Sequence, residues 1–369
     1  MTPAPSLHAK LAPLGYSAAE CARLDLLLDR IRELKARRRA VILAHNYQRP
    51  EIFEVADAIG DSLALSRRAT EIEGDLIVFA GVHFMAETAK ILNPGRMVLL
   101  PNLAAGCSLA DTATADGLAA RVAELRREHP DLAVVSYVNT TAEVKALSDV
   151  CCTSANAVQV VNALPNRHVL FVPDKNLAAY VQKHTDKVII PWEGHCYVHE
   201  QITPQAVAAM KAQHPAAKLI VHPECRPDVL DLADAVLSTE GMVRYARESE
   251  AEAFIVVTEC GLSDRLFIEL PHKTFYRSCQ LCRFMKANRL EDLVDSLEKL
   301  QFAVDVPEPV RSKAAAAVRR MLELTTTGAP RLPAPAREWR PKRPCSRRWS
   351  RCATRTCTGT SWRWASCSA

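Results

Sequence analysis

Two cysteines three residues apart, Cys279 and Cys282 in RSCQLC, have the spacing of a redox dithiol or of half a zinc site. A zinc site of that kind needs a second such pair, and none occurs in the 369 residues. Other groups able to move protons end strand-like runs: VILAHNY at 41–47, AVVSYVN at 133–139 and KLIVHPE at 218–224. Aligned on His45, Tyr137 and His222, the three stretches continue alike. Ser62, Ser154 and Thr239 stand at a common offset of 17 from these anchors, with Asp57, Asp149 and Asp234 in between. A second apolar run is centred at an offset of 34, on Phe79, Phe171 and Val256. A cysteine then follows a third run, at offsets of 62, 59 and 60: Cys107, Cys196 and Cys282. Cys279 has no counterpart, so the CxxC is read as a coincidence and Cys279 as a bystander, at most a thiol beside the ligand set.

Three thiolates brought together leave a coordination position open, as catalytic metals require. Soft sulfur ligands suit an iron–sulfur cluster and zinc equally. Around them the strand ends supply His45, Tyr47, Tyr137, Asn139, His222 and Glu224, most of them types that transfer protons. His199, three residues after Cys196, joins the same set. Ser62, Ser154, Ser238 and Thr239 stand where helices should begin. One hydroxyl in such a place is usually a plain cap, and one histidine is usually structural. Three equivalent positions favour anion binding, and hence a ligand with carboxylate or phosphate groups.

The elements that must position these groups repeat, with anchor-to-anchor spacings of 92 and then 85. Each unit reads strand–helix–strand–helix–strand with apolar strands, the pattern of parallel α/β layers. Strand ends of open parallel sheets are where ligands bind. The expected fold is therefore three α/β domains with parallel sheets, each a three-layer α/β/α unit, related by a pseudo-threefold axis that carries the active site. The expected divisions are 1–128 (N-terminal helical segment plus first repeat), 129–214 (second), 215–305 (third), 306–328 (closing helix) and 329–369 (basic tail).

Charge narrows the possible functions. Residues 331–369 hold ten Lys and Arg and one acid, whereas the other 330 hold 37 basic and 41 acidic residues. The body is thus mildly acidic and has no nucleic-acid surface. The tail, with four of the five tryptophans and no periodicity, is expected to be disordered and foreign to the fold. No apolar run approaches the roughly 18 residues that a membrane-crossing helix needs, so no membrane span is expected. The first twenty residues lack a signal-peptide core, and a cytoplasmic location is expected. Neither GxGxxG nor GxxxxGK[ST] occurs, so no dinucleotide or nucleoside triphosphate is implied.

From about residue 30 to 325 the chain resembles the quinolinate synthase family of bacterial NAD biosynthesis. The resemblance rests on LAHNYQRPEI, GDSLALS, FAGVHFMAETAKIL, GCSLAD, SYVNTTAEVKA, CTSANA, PDKNLA, WEGHCYVH, HPEC, LSTEG and SCQLCRFMKAN, in that order. It implies three pseudo-threefold α/β domains. It also implies a [4Fe–4S] cluster on Cys107, Cys196 and Cys282 with one iron open. The implied reaction condenses iminoaspartate with dihydroxyacetone phosphate to quinolinate, releasing phosphate and two waters, and the enzyme that oxidises aspartate is an implied transient partner. The implied site comprises His45, Tyr47, Ser62, Tyr137, Asn139, Ser154, His199, His222, Glu224, Ser238 and Thr239. Of these, Glu224, His45, Tyr47, Tyr137 and His199 are the catalytic candidates. Some relatives carry a further cysteine where this chain has Tyr276, so a CxxCxxC redox switch is not expected here.

Overall fold

The runs LIVFA, HVLFV and AFIVV combine β-branched and aromatic residues with almost no polar ones, as strands covered on both faces do. Each becomes an inner strand of a four-stranded parallel sheet in the computed structural model, which describes residues 6–326. The first sheet contains β1 (Ala40–His45), β2 (Ala58–Gly60), β3 (Leu76–Ala80) and β4 (Met97–Leu99). The second contains β5 (Ala133–Tyr137), β6 (Val150–Cys152), β7 (His168–Val172) and β8 (Val188–Pro191). The third contains β9 (Lys218–Val221), β10 (Ala235–Val236), β11 (Ala253–Val257) and β12 (Thr274–Arg277). All three share one spatial order: second strand, first, third, fourth. Helices flank the sheets, giving three α/β/α domains.

The registers repeat as well. Ala40 lies opposite Leu76, Ala133 opposite Val169, and Lys218 opposite Phe254, the same sequence separation each time. Leu43 faces Ala58, Val135 faces Val150, and Ile220 faces Ala235, again at one common separation. The three-strand reading of each unit is corrected here. The edge strands β2, β6 and β10 have only two or three residues, too few to show a sequence period. The repeated aspartates belong to these edges. Asp57, Asp149 and Asp234 each precede an edge strand and accept, through Oδ2 at 2.7 Å, the N–H of Ile42, Val134 and Leu219 on the neighbouring strand. Their own N–H groups donate to the carbonyls of the same three residues.

One continuous apolar cluster draws on all three sheets, including Leu43, Phe79, Val135, Phe171, Ile220 and Phe254. The other face of the first sheet is covered differently. The helix Ala18–Arg38 opens on a capping box between Ser17 and Glu20. Its apolar stripe of Cys21, Leu24, Leu28, Ile31 and Leu34 packs with Leu290, Leu293 and Leu297, from the helix Leu290–Lys299, over Ile42, Ala44 and Val78. After the third sheet the chain thus returns to the first. There, residues 302–304 pair antiparallel with the edge of β4: Leu100 N donates to Phe302 O and Val304 N to Val98 O. A last helix, Val310–Thr326, lies against the first two domains through bonds from Arg67 to Thr325 O, Gln159 to Leu324 O and Arg320 to Asp149 O. The basic tail lies outside the described residues. Among the described residues, no helix is long and apolar enough to cross a membrane.

Candidate active site

The carboxyl ends of β1 and β5, and the loop just past β9, open into one cavity enclosing about 680 Å³, its mouth included. His45, Tyr47 and Ser62 line it from the first domain, with Cys107 further along that chain segment. Tyr137, Asn139, Ser154, Cys196 and His199 line it from the second, and His222, Glu224, Thr239 and Cys282 from the third. Phe84, Phe284 and Met285 complete its apolar wall.

Ser238 does not line this cavity. It is a helix cap, accepting from Gly241 N at 3.2 Å and donating to Asp61 Oδ2 at 3.0 Å. The helix of the first repeat is likewise capped by Asp61, not by Ser62. In the second repeat the helix starts only at Ala157, which puts Ser154 in the turn before it. Ser62 and Ser154 thus line the cavity without capping a helix. Thr239 lines the cavity, but its Oγ1 already accepts from Asn46 Nδ2 at 2.8 Å.

Two histidines are fixed in one tautomer by their own turns. Tyr47 N donates to His45 Nδ1 at 3.1 Å, and Glu224 N to His222 Nδ1 at 3.4 Å. With Nδ1 accepting, the ring proton sits on Nε2. Burial pushes both imidazoles down to about 3, so they are neutral donors near neutral pH. His45 and His222 both line the cavity, and in this tautomer Nε2 is the ring nitrogen with a proton to donate.

Glu224 is the carboxylate among them. Burial raises its pKa, but His199, then His222 and Tyr137, outweigh this and hold it at about 2. Its Oε2 lies 2.8 Å from His199 Nδ1, out of line for a hydrogen bond, and 3.8 Å from His222 Nδ1. Its Oε1 is buried and has no partner, as does Asn139 Oδ1. Such orphaned buried acceptors carry a desolvation cost that a ligand proton would remove.

Thr258 was not visible in the sequence. Fully buried, it joins the Tyr47 hydroxyl (2.5 Å) to His199 Nε2 (3.0 Å). In the repeat alignment its position is occupied by Gly81 and Pro173 in the other two units, so comparing the repeats could not flag it.

Cys107, Cys196 and Cys282 are free and half-buried. Burial pushes Cys107 up to about 12 and raises Cys196 and Cys282 as well. Gly194 lets the second loop in close, since a Cβ there would run into Thr112 Oγ1 and the Pro173 carbonyl. Cys279 is not a bystander thiol: it is disulfide-bonded to Cys260. Of the two CxxC sulfurs, Cys279 is thus bonded and Cys282 is free. The Tyr276 ring stacks on His214 at 3.5 Å.

Among the described residues, the trio of donors close enough for a single ion is Cys196, His199 and Glu224, all within 4.8 Å of one another. The three cysteines together form no such tight set. A lone zinc would need its sulfurs about 4 Å apart, from Zn–S bonds of about 2.3 Å. Three thiols more widely spread around an open cavity fit a larger group.

No repeat could work alone, because each supplies one sulfur and only part of the polar ring. Fold and site define an α/β enzyme whose single centre is shared by three like domains. The profile of the family described as "Quinolinate synthetase A protein" matches residues 29–323. "Quinolinate synthase 1" of Methanosarcina acetivorans is 55% identical over 298 residues, which are 80% of this chain and 97% of that one. The "Quinolinate synthase" of Methanosarcina barkeri is 53% identical over 298 residues, with the same two shares. That of Thermodesulfovibrio yellowstonii is 52% identical over 303 residues, 80% of this chain and 98% of its own. The chain belongs to the quinolinate synthase family.

Proposed function

We propose that this chain is a quinolinate synthase of NAD biosynthesis, condensing iminoaspartate with dihydroxyacetone phosphate and releasing phosphate and two waters. We further propose that Cys107, Cys196 and Cys282 hold a [4Fe–4S] cluster. The observation that carries the reading is one free thiol from each repeat at a single cavity, in a chain half identical to quinolinate synthases over nearly their whole length. When bound, the cluster supplies an iron with an open position, a Lewis acid suited to dehydration.

The side chains divide the remaining work. Ser62, Ser154 and the Nε2–H groups of His45 and His222 donate to substrate carboxylate and phosphate oxygens. Asn139 Oδ1 accepts from a substrate hydroxyl or amine. Glu224, ionised and with Oε1 free, takes up a proton during carbon–carbon bond formation. Tyr47, Thr258 and His199 form a hydrogen-bonded line that ends beside Glu224 and orients the His199 ring. Phe84 and Phe284 exclude water from the reacting carbons.

A second reading is favoured by the Cys196–His199–Glu224 trio: a hydro-lyase with one metal ion. Protein purified anaerobically and supplied with the two substrates tests both. The proposal expects quinolinate, about four irons per chain, and loss of iron in each of Cys107→Ser, Cys196→Ser and Cys282→Ser but not in Cys279→Ser. A single metal that survives Cys107→Ser and Cys282→Ser would replace the cluster with the trio. Cluster-loaded protein that makes no quinolinate would end the proposal.

A further inference from the structure

At one common offset from the three anchors of the repeat stand Val82, Asp174 and Glu259. Each is the cap of the helix that follows the inner strand: His83–Leu92, Lys175–Gln182 and Cys260–Glu269. The first N–H of each helix bonds to the carbonyl two residues before the cysteine of that repeat. His83 N donates to Ala105 O, Lys175 N to Gly194 O, and Cys260 N to Gln280 O. The cysteine loop is thus tied to the helix start in all three repeats. In two of them a carboxylate adds to the tie. Asp174 Oδ1 accepts from Leu177 N (2.7 Å) and Oδ2 from Cys196 N (3.2 Å). Glu259 Oε2 accepts from Gly261 N (2.6 Å) and Oε1 from Cys282 N (3.1 Å). Val82 offers no side-chain cap and nothing to Cys107.

Capping alone does not account for these acids. Both are fully buried, where a carboxylate is costly. Elsewhere the chain caps helices with Ser17, Thr114, Thr203 and Ser238, which do the same work with little to desolvate, and the buried acid Asp61, also a cap, likewise uses its second oxygen on another partner, the Ser238 hydroxyl. What a hydroxyl cannot do is accept at the helix start with one oxygen and at the cysteine N–H with another. We propose that Asp174 and Glu259 are positioning residues for Cys196 and Cys282, each fixing the backbone of one thiol ligand by accepting at the helix start and at the cysteine N–H. This rests on the reading of those cysteines as cluster ligands. The two acids are not equivalent. Lys286 Nζ lies 3.2 Å from Glu259 Oε1 and donates to Tyr47 O at 2.5 Å, which links the holder of Cys282 to the first domain. Asp174 has no cation partner among the described residues. Cys107, held by backbone alone, is the internal control.

The experiment uses the full chain, loaded anaerobically, as wild type, Asp174→Asn and Glu259→Gln. Each amide keeps the size and one acceptor but turns an NH₂ toward one of the two N–H groups. Two quantities are read: the rate of iron release to a chelator and, on iron-free protein, the alkylation rate of each cysteine by mass spectrometry. Iron release should quicken by about tenfold or more, the usual scale for outer-shell partners. Alkylation should quicken at Cys196 alone in D174N and at Cys282 alone in E259Q, with Cys107 unchanged. Wild-type values on both measures would reduce both acids to helix caps. If an amide variant does not fold, Asp174→Glu and Glu259→Asp decide, because they keep two acceptor oxygens and alter the reach. Alkylation should still rise at the one cysteine, and an unchanged alkylation pattern would refute positioning. A wild-type protein that takes up no iron would overturn the cluster reading, and the alkylation pattern would still judge the positioning.

Discussion

Glu224 Oε1 is a buried acceptor facing a cavity, surrounded by groups that keep it ionised. Glu224→Gln preserves size and removes the titrating group. Turnover should fall by ~100-fold or more while iron content stays at the wild-type level, the usual scale for a lost acid or base. Quinolinate formation measured beside iron content checks this, and near-normal turnover would make Glu224 a positioning residue. His45 and His222 give a second prediction, through stability. Their folded pKa of about 3 lies below the ordinary histidine value near 6.5, so in between the unfolded chain binds more protons. Stability from keeping them neutral is fully present above about pH 6.5 and is lost as pH falls toward 3. Each should cost about 1.4 kcal/mol per pH unit. Between pH 5 and 6.5, above the range where Glu224 protonates in either state, urea midpoints should fall more steeply for wild type than for His45→Gln/His222→Gln. Parallel slopes would mean that the imidazoles are not buried as neutral rings.

The three edge-strand aspartates make the repeat testable at the level of elements. Each accepts one strand N–H at 2.7 Å and donates to the same residue's carbonyl. Asp57→Ala, Asp149→Ala and Asp234→Ala should each cost about 1–2 kcal/mol, the range for a charge-assisted bond at a partly exposed site. Urea midpoints measure this, and no loss in any of the three would show that the edges need no pin. These aspartates were legible in the sequence because the same residue type recurs at one offset. The anchors and the three cysteines were legible for the same reason. The edge strands were not, because two or three residues cannot display a period of two. Asp174 and Glu259 were hidden because the third member of their set is Val82, and a role shared by unlike side chains leaves no repeat to align. Ser238 was misread because it is adjacent to Thr239, and only packing decides which of two neighbouring hydroxyls faces the cavity. The partner of Cys279 was hidden because Cys260 is 19 residues away with no motif joining them.

At the scale of the whole molecule, three sheets of equal order enclose one cavity, and the ring closes where the helix Leu290–Lys299 and residues 302–304 return to the first sheet. The three alignable strand runs, with their residues at fixed offsets, were enough to foresee the shared centre, since equal units facing inward must bring equal residues together. The return was beyond reach, because nothing in residues 290–304 says which sheet they will cover. That return also sets the order of events during synthesis. β4 is complete at residue 99, and the strand that covers its edge ends at residue 304. At translation rates of ~5–20 residues per second, the roughly 200 residues between them take roughly 10–40 s. Throughout that interval the first sheet is held on its outer face by the helix Ala18–Arg38 alone, with β4 presenting unpaired backbone to any strand nearby. The first domain to emerge from the ribosome is therefore still unfinished when the third sheet is complete, and the growing chain is most open to mispairing with its own later repeats, whose strands have the same order and nearly the same register.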